Sequence, residues 1–360
     1  MTVQLSNGTS MQPRRRYFRA TTRMNILAGD IGGTKTLMQL ASLTGDSFNV
    51  ICEKSYPSAD HPEFTDVLLL FLKQHASQCD NIEVACFGVA GPISQNTDRQ
   101  TVQVTNLPWR IDTQQLKERL AVPCIHLIND FQAVGYGIET LQPDDLHMLQ
   151  TGKHQTQGPR IVLGAGTGLG VGQLVWQQDH YVVLATEGGH IDFAPTTPQQ
   201  MELLSYLSQR FGHVSYERVL SGPGIATIYE FLRVSGNVAE SPALREEMQR
   251  TDPAAAITEA ALINNDRLAN ETLELFISIY GAMAGNLALI NLAFGGVYVA
   301  GGIAPRIIDR LSGETFVRAF NDKGRMASLL ASIPVAVVMN PKVGLRGAAQ
   351  AGYHLARGRE

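Results

Sequence analysis

The sequence predicts an α/β protein made of two similarly built halves, and three observations predict it. Short apolar runs of strand length alternate with amphipathic runs of helical length. Each half opens with a strand, a glycine-rich turn and a second strand: "NILAGDIGGTKTLMQLASL" near the N-terminus and "RIVLGAGTGLGVGQLVW" from Arg160. A third glycine element, "VYVAGGIAPRIIDRL", lies near the C-terminus. A length of 360 residues is enough for two packed cores, and the repeat is far too long for a solenoid.

The elements follow in order. "NILAGD" is a short buried strand. "TLMQLASL" has a period that also suits a helix, but Thr44-Gly45-Asp46 ends it after about eight residues, a normal strand length. The two strands joined through Gly32-Gly33-Thr34 form a hairpin. "FNVICE" is a third strand, and "PEFTDVLLLFLKQH" is an amphipathic helix with Pro62 near its start. Strands follow at "IEVACFGVAG" and "QTVQVTN", then a helix through "TQQLKERLA" that Asp112 can cap. "CIHLIND" is a strand ending at Asn129-Asp130, with a helical run from Phe131. The stretch 151–159 is a linker rich in Gly, Pro and Gln. The second hairpin follows it, and "VYVAGGIAPRIIDRL" reads as strand, Gly301-Gly302, then helix with Pro305 in its first turn.

Composition narrows the function. Hydrophobic content of 44% and charged content of 17% describe an ordinary globular chain. A net charge of -4 leaves no basic excess for neutralising nucleic-acid phosphates. Cys52, Cys79, Cys86 and Cys124 have no C-x-x-C spacing, so neither a zinc site nor a disulfide framework is expected, and a reducing cytoplasm is the expected location. No uninterrupted run of 18 apolar residues predicts a membrane span. Residues 1–23 differ from the rest: five arginines, several Ser and Thr, and no acid. They read as a disordered extension or a start upstream of Met24, with an organelle transit peptide as the alternative.

The first glycine turn resembles a P-loop in Gly29 and Lys35-Thr36, but Thr34 stands where the second glycine is required, and the turn leads into a strand, not a helix. The second turn has Gly164 and Gly166 of a dinucleotide fingerprint but Leu169 in the third position. A glycine- and threonine-rich hairpin tip can still hold phosphate, because bare backbone N–H groups approach an anion closely. Asp30 beside the first tip suits Mg2+ held through water. Glycines at the end of a buried strand, as at Gly301 and Gly302, let a flat base lie against backbone.

The motifs "GDIGGT", "TNLPW", "INDFQAVGYGI", "GAGTGLGVG", "EGGHIDFAP", "ERVLSGPGI" and "VAGGI" occur in an order that resembles the bacterial-type glucokinases, from residue 24 to the end. The resemblance implies two actin-like (ribonuclease H-like) α/β domains with a cleft between them: residues 24–140 completed by a C-terminal helix 343–360, and residues 141–342. It implies transfer of the γ-phosphate of ATP to the 6-hydroxyl of D-glucose, with Mg2+, and a homodimer. "DFAPTTPQQMELL" lacks the cysteines of the related zinc-bearing repressor/kinase group, so no structural zinc is expected. A kinase of another hexose, or a silent sugar-sensing regulator, is the alternative. Such regulators usually add a DNA-binding helix-turn-helix, for which 23 residues are too few.

A sugar presents hydroxyls that donate and accept, so its site wants carboxylates and amides. The resemblance puts Asn106, Asn129, Asp130, Glu187, His190 and Glu217 on the sugar. It puts Gly29, Asp30, Ile31, Gly32, Gly33, Thr34, Gly166, Thr167, Gly168, Gly301 and Gly302 on the nucleotide. Glu187 and His190 flank two glycines, which argues for a loop against a helical metal pair. By position alone Asp130 reads as a helix N-cap, with a carboxyl pKa lowered by the helix terminus. The resemblance assigns the aspartate of the N-D-F motif as catalytic base.

Overall fold

The computed structural model describes residues 23–45, 47–79, 81–236 and 238–358. The expected N-terminal extension therefore lies outside the described residues, except Arg23, whose Nε donates to Ser42 Oγ at 2.7 Å.

The first half contains β1 (Met24–Ile31), β2 (Lys35–Thr44), β3 (Ser47–Pro57), α1 (Phe64–Gln74), β4 (Ile82–Val89), β5 (Ile93–Asn96), β6 (Arg99–Gln103), β7 (Arg110–Asp112), α2 (Thr113–Leu120), β8 (Cys124–Asn129) and α3 (Asp130–Gly137). Five strands form a sheet in the order β3-β2-β1-β4-β8, with β5, β6 and β7 as a separate small sheet. The ambiguous run "TLMQLASL" is strand β2, antiparallel to β1. Its lost alternation has a physical cause: it is buried on both faces. Leu37, Ala41 and Leu43 join one apolar cluster, while Met38 and Leu40 join the other. Asp112 caps α2 as expected, accepting from Gln114 N at 3.0 Å.

The second half contains β9 (Leu146–Gln150), β10 (Arg160–Ala165), β11 (Leu169–Gln177), β12 (His180–Thr186), α4 (Pro198–Phe211), α5 (Gly222–Val234), α6 (Pro242–Arg250), α7 (Pro253–Leu262), α8 (Arg267–Asn291), β13 (Val297–Ala300), α9 (Ile308–Leu311), α10 (Glu314–Asn321), α11 (Ala327–Leu330) and β14 (Val335–Val338). Its sheet runs β12-β11-β10-β13-β14-β9. Setting aside the edge strand β9, which the sequence pattern did not reveal, this is the strand order of the first sheet with the same parallel and antiparallel pairings. The last glycine element differs slightly from expectation: Pro305 opens a 3-10 turn, Ala304–Ile307, that runs into the single-turn α9. The 25-residue α8 is long and apolar enough to cross a membrane by length and composition, but 72% of its apolar window is buried inside the protein as the spine of the second core.

The final helix, α12 (Val343–Ala356), returns to the first half and packs on β1, β4 and α3. One apolar cluster joins the halves: Ile26, Ala28 and Val84 of the first sheet share it with Val162, Leu174, Val183 and Val338 of the second. Helix α3 lies in this seam. Phe131 rests on the second hairpin, where a Cβ at Gly170 would fall 1.9 Å, and one at Gly164 2.6 Å, from its ring. On the other side, a Cβ at Gly347 of α12 would fall 1.7 Å from the Ala133 carbonyl oxygen.

Gly170→Ala is therefore expected to destabilise the protein by about 1–3 kcal/mol through overpacking. Adding Phe131→Ala should cost less than the sum of the two single changes, because the clash partner is gone. Urea denaturation of the two single variants and the double variant measures this. Strict additivity would rule out the packing contact.

Candidate active site

The site grows from the carboxyl ends of parallel strands, where open α/β sheets leave a crevice. Asp30 on β1 pairs with Gly88 on β4, and Val89 pairs with Asn129 on β8, so these ends lie side by side. Asn129 is the N-cap of α3: its Oδ1 accepts from Phe131 N at 2.9 Å and from Gln132 N at 3.2 Å. Asp130 is the first helical residue and accepts from Phe131 N at 2.9 Å. The expectation that Asp130 is the cap is thus corrected by one position, since the shorter reach to two N–H groups belongs to Asn129.

The expected low pKa of Asp130 is corrected as well. Burial pushes its carboxyl above the ordinary range, the N–H groups of the first helical turn oppose that, and the charge of Glu187 adds to the rise. Asp30 is pushed up to about 6, first by burial and then by the Asp130 charge, with Lys35 opposing. Its carboxylate takes no hydrogen bond from any described residue and points toward the start of α12, 3.1 Å from where a Gly344 Cβ would sit. A desolvated carboxylate facing a second one, without donors, is a fitting partner for a hydrated divalent cation.

The first glycine tip is closed by Gly32 N donating to Lys35 O at 3.1 Å. Ser58, 24 residues beyond Thr34 and absent from the sequence expectation, braces it. Its N donates to Thr34 O at 3.0 Å and its Oγ to Gly32 O at 2.8 Å. Asn106, expected on the sugar, lies near this tip, with its Cβ 3.6 Å from the place of a Gly33 Cβ. Its backbone is left-handed at φ 64°.

The second tip, Gly166 to Gly168, is closed by Gly166 N donating to Gly168 O at 2.8 Å, and Gly222 N at the start of α5 donates to Gly166 O at 2.8 Å. Glu217 accepts from Leu169 N at 2.9 Å, and a Cβ at Gly168 would lie 2.5 Å from its Oε2. Glu217 thus holds the second tip. Gly301, at φ 84°, packs on the end of β10, where a Cβ would meet Ala165 O at 2.4 Å, so Gly301-Gly302 adjoins the second tip. The third glycine element and the second tip form one surface.

Between the halves lies a cleft of about 340 Å3 whose lining includes Gln95, Gln100, Asn129, Gln132, Thr186 and Glu187. Glu187 precedes a short 3-10 turn, Gly188–His190, and approaches His190 to 3.9 Å, with side chains 82% and 59% exposed. They stand on the rim. The structure therefore gathers Asn129 and Glu187 at one cleft with Asp130 beside them, while His190, Glu217 and Asn106 are not part of its lining. Gln100 and Gln132 are the residues that sequence reasoning missed. Gln132 is three residues past Asn129 on the same helix face, a signal present in "NDFQ". Trp109 is 1% exposed within the first core, and its Nε1 donates to His61 O at 3.0 Å.

The raised pKa of Asp30 has a measurable sign. The folded protein holds this proton more tightly than the unfolded chain, so its contribution to stability falls as pH rises from about 4 through 6. At pH 7 the ionised carboxyl costs up to about 3 kcal/mol. Without metal, Asp30→Asn should therefore be more stable than the parent at neutral pH, with the gain gone near pH 4. Thermal melts across this range in a chelator check it. A destabilised Asp30→Asn at pH 7 would mean that the carboxylate is satisfied.

Comparison with known proteins places this geometry. The glucokinase family model matches residues 27–354. A glucokinase of Nostoc punctiforme is 48% identical over 339 residues, covering 90% of this chain and 97% of the relative. The crystal structure of a glucokinase from an Antarctic psychrotroph superposes with a TM-score of 0.80 at 32% identity, covering 92% of this chain and 99% of that one. A Balamuthia mandrillaris glucokinase in complex with glucose shares the fold at a TM-score of 0.71 and 22% identity, covering 92% and 94%. With the family model matched over residues 27–354 and a relative 48% identical over 90% of the chain, this chain belongs to the glucokinase family.

Proposed function

We propose that this chain transfers the γ-phosphoryl group of ATP to the 6-hydroxyl of D-glucose, in a cleft between residues 24–140 with α12 and residues 141–342. The observation that carries the chemistry is Asp130: a carboxylate with a raised pKa, fixed at the head of α3 beside Asn129 and the Glu187 charge. In-line phosphoryl transfer needs a group that accepts the proton of the attacking hydroxyl, and a carboxylate of raised pKa does this better than an ordinary one.

Asn129, Glu187, His190 and Glu217 hold the remaining sugar hydroxyls. Asn129 keeps its Nδ2 donors for this, because the cap uses its Oδ1. Gly29, Asp30, Ile31, Gly32, Gly33 and Thr34 present one phosphate-binding tip, and Asn106 beside it adds a further sugar contact. Gly166, Thr167 and Gly168 present the other, and Gly301 with Gly302 offers a flat surface for adenine. Asp30 would hold Mg2+ through water, and the ion, when bound, neutralises charge on the phosphates. The exposure of Glu187 and His190 suits an open form that closes on sugar and excludes water. A cytoplasmic homodimer is the assembly and location that the family resemblance suggests.

Asp130→Asn keeps the shape of the side chain and loses its basicity. It is expected to lower kcat by ~10² to 10⁴-fold while changing glucose affinity by about tenfold or less. Glu217→Gln should weaken glucose binding more than it slows the chemical step, with some loss of ATP affinity because Glu217 also fixes the second tip. Steady-state kinetics with both substrates varied separates these cases. A near-normal kcat in Asp130→Asn would remove the general base from the mechanism.

Closure predicts a smaller radius of gyration with glucose, measurable by solution scattering; unchanged profiles would exclude it. Trp109 is buried away from the cleft, so Trp176, which packs against the cluster joining the halves, is the better fluorescence reporter.

A further inference from the structure

We infer a second ligand site, for a small organic phosphate, on the far side of the first glycine tip. A cavity of about 400 Å3 opens there between the start of α1 and the β7–α2 unit. That volume lies within the range of small-molecule sites, roughly 300–1,000 Å3. Its floor is apolar, formed by the buried Phe64, Ile111 and Leu116, with Pro62 and Pro108 as walls.

The charges around it do not cancel. Asp112 is taken by a two-pronged contact with Arg99 and by Gln114 N. Glu63, at the N-cap of α1, keeps one negative charge against the two of Arg110 and Arg119, which leaves the lining one positive charge in excess. Arg110 and Arg119 also line the cavity, and among the described residues their side chains enter no ion pair or hydrogen bond. Two unpaired guanidinium groups above an apolar floor match a phosphate ester with a carbon body, since guanidinium binds phosphate through paired N–H groups.

The segments that wall the cavity also carry residues that touch the first tip. The segment entering α1 carries Ser58, which holds Gly32 and Thr34. The segment entering β7 carries Asn106, against Gly33, and Trp109, whose Nε1 is bonded to His61 O of the first segment. An occupant that bridges Arg110 and Pro62 ties these two segments together behind the proposed nucleotide site. This site is separate from the cleft and does not depend on the assignment of the reaction.

The test is equilibrium dialysis of labelled ribose 5-phosphate against the full chain, with the cleft saturated by glucose, Mg2+ and AMPPNP. The parent protein should bind it, and Arg110→Gln/Arg119→Gln should lose affinity by about tenfold or more. Both side chains are exposed, so the melting temperature of the double variant, and its glucokinase kcat without ribose 5-phosphate, should match the parent. Arg318→Gln, which removes an exposed charge elsewhere, should leave binding unchanged. Equal binding by parent and double variant would overturn the site, as would no binding up to about 10 mM. Inorganic phosphate bound as tightly as the ester would also overturn it, because the apolar floor would then contribute nothing.

Discussion

The architecture depends on how closely α3 can approach the second hairpin. Phe131 lies on bare backbone at Gly164 and Gly170, and any side chain there would push the helix away. Because Asn129 and Asp130 are the cap and first residue of that helix, this packing distance sets the position of the proposed base relative to the second tip. The same helix is pinned from behind by α12, where Gly347 admits the Ala133 carbonyl. Interiors are close-packed and transmit small shifts, so a group held this way is held in place. The chain's last helix thus serves the chemistry at its middle.

The electrostatics follow from the same packing. Bringing the carboxyl ends of β1 and β8 together puts Asp30 within reach of the Asp130 charge, and Asp130 within reach of Glu187, in a poorly hydrated crevice. Burial raises both carboxyls, and the Asp130 charge raises Asp30 further, which destabilises the empty protein. Strain of this kind belongs at a site that is completed by ligands: a cation and a reacting hydroxyl would turn the repulsion into attraction. The glycine tips are built differently. They carry little structure of their own and borrow it, the first from Ser58, the second from Glu217 and Gly222.

The sequence by itself determined the strands and helices from β1 to α3 apart from the short β5 and β7, the two glycine hairpins, the repeat of architecture between the halves and the cap at Asp112. These rest on local rules: run length, turn chemistry and capping act over a few residues and leave a pattern that can be read. "TLMQLASL" was readable as a strand by length even though burial on both faces had erased its alternation. The family motifs then named the site residues, and the structure brings Asn129, Asp130 and Glu187 together at one cleft. Only the tertiary structure decided which residue caps α3, that Asp130 is raised and not lowered, that Asn106 lies near a tip, and that Gln100 and Gln132 line the cleft. Each of these depends on desolvation or on contacts between segments far apart in the chain, such as Ser58 with Gly32 or Glu217 with Leu169. Burial is a property of the assembled surface, and no spacing within a single segment encodes it.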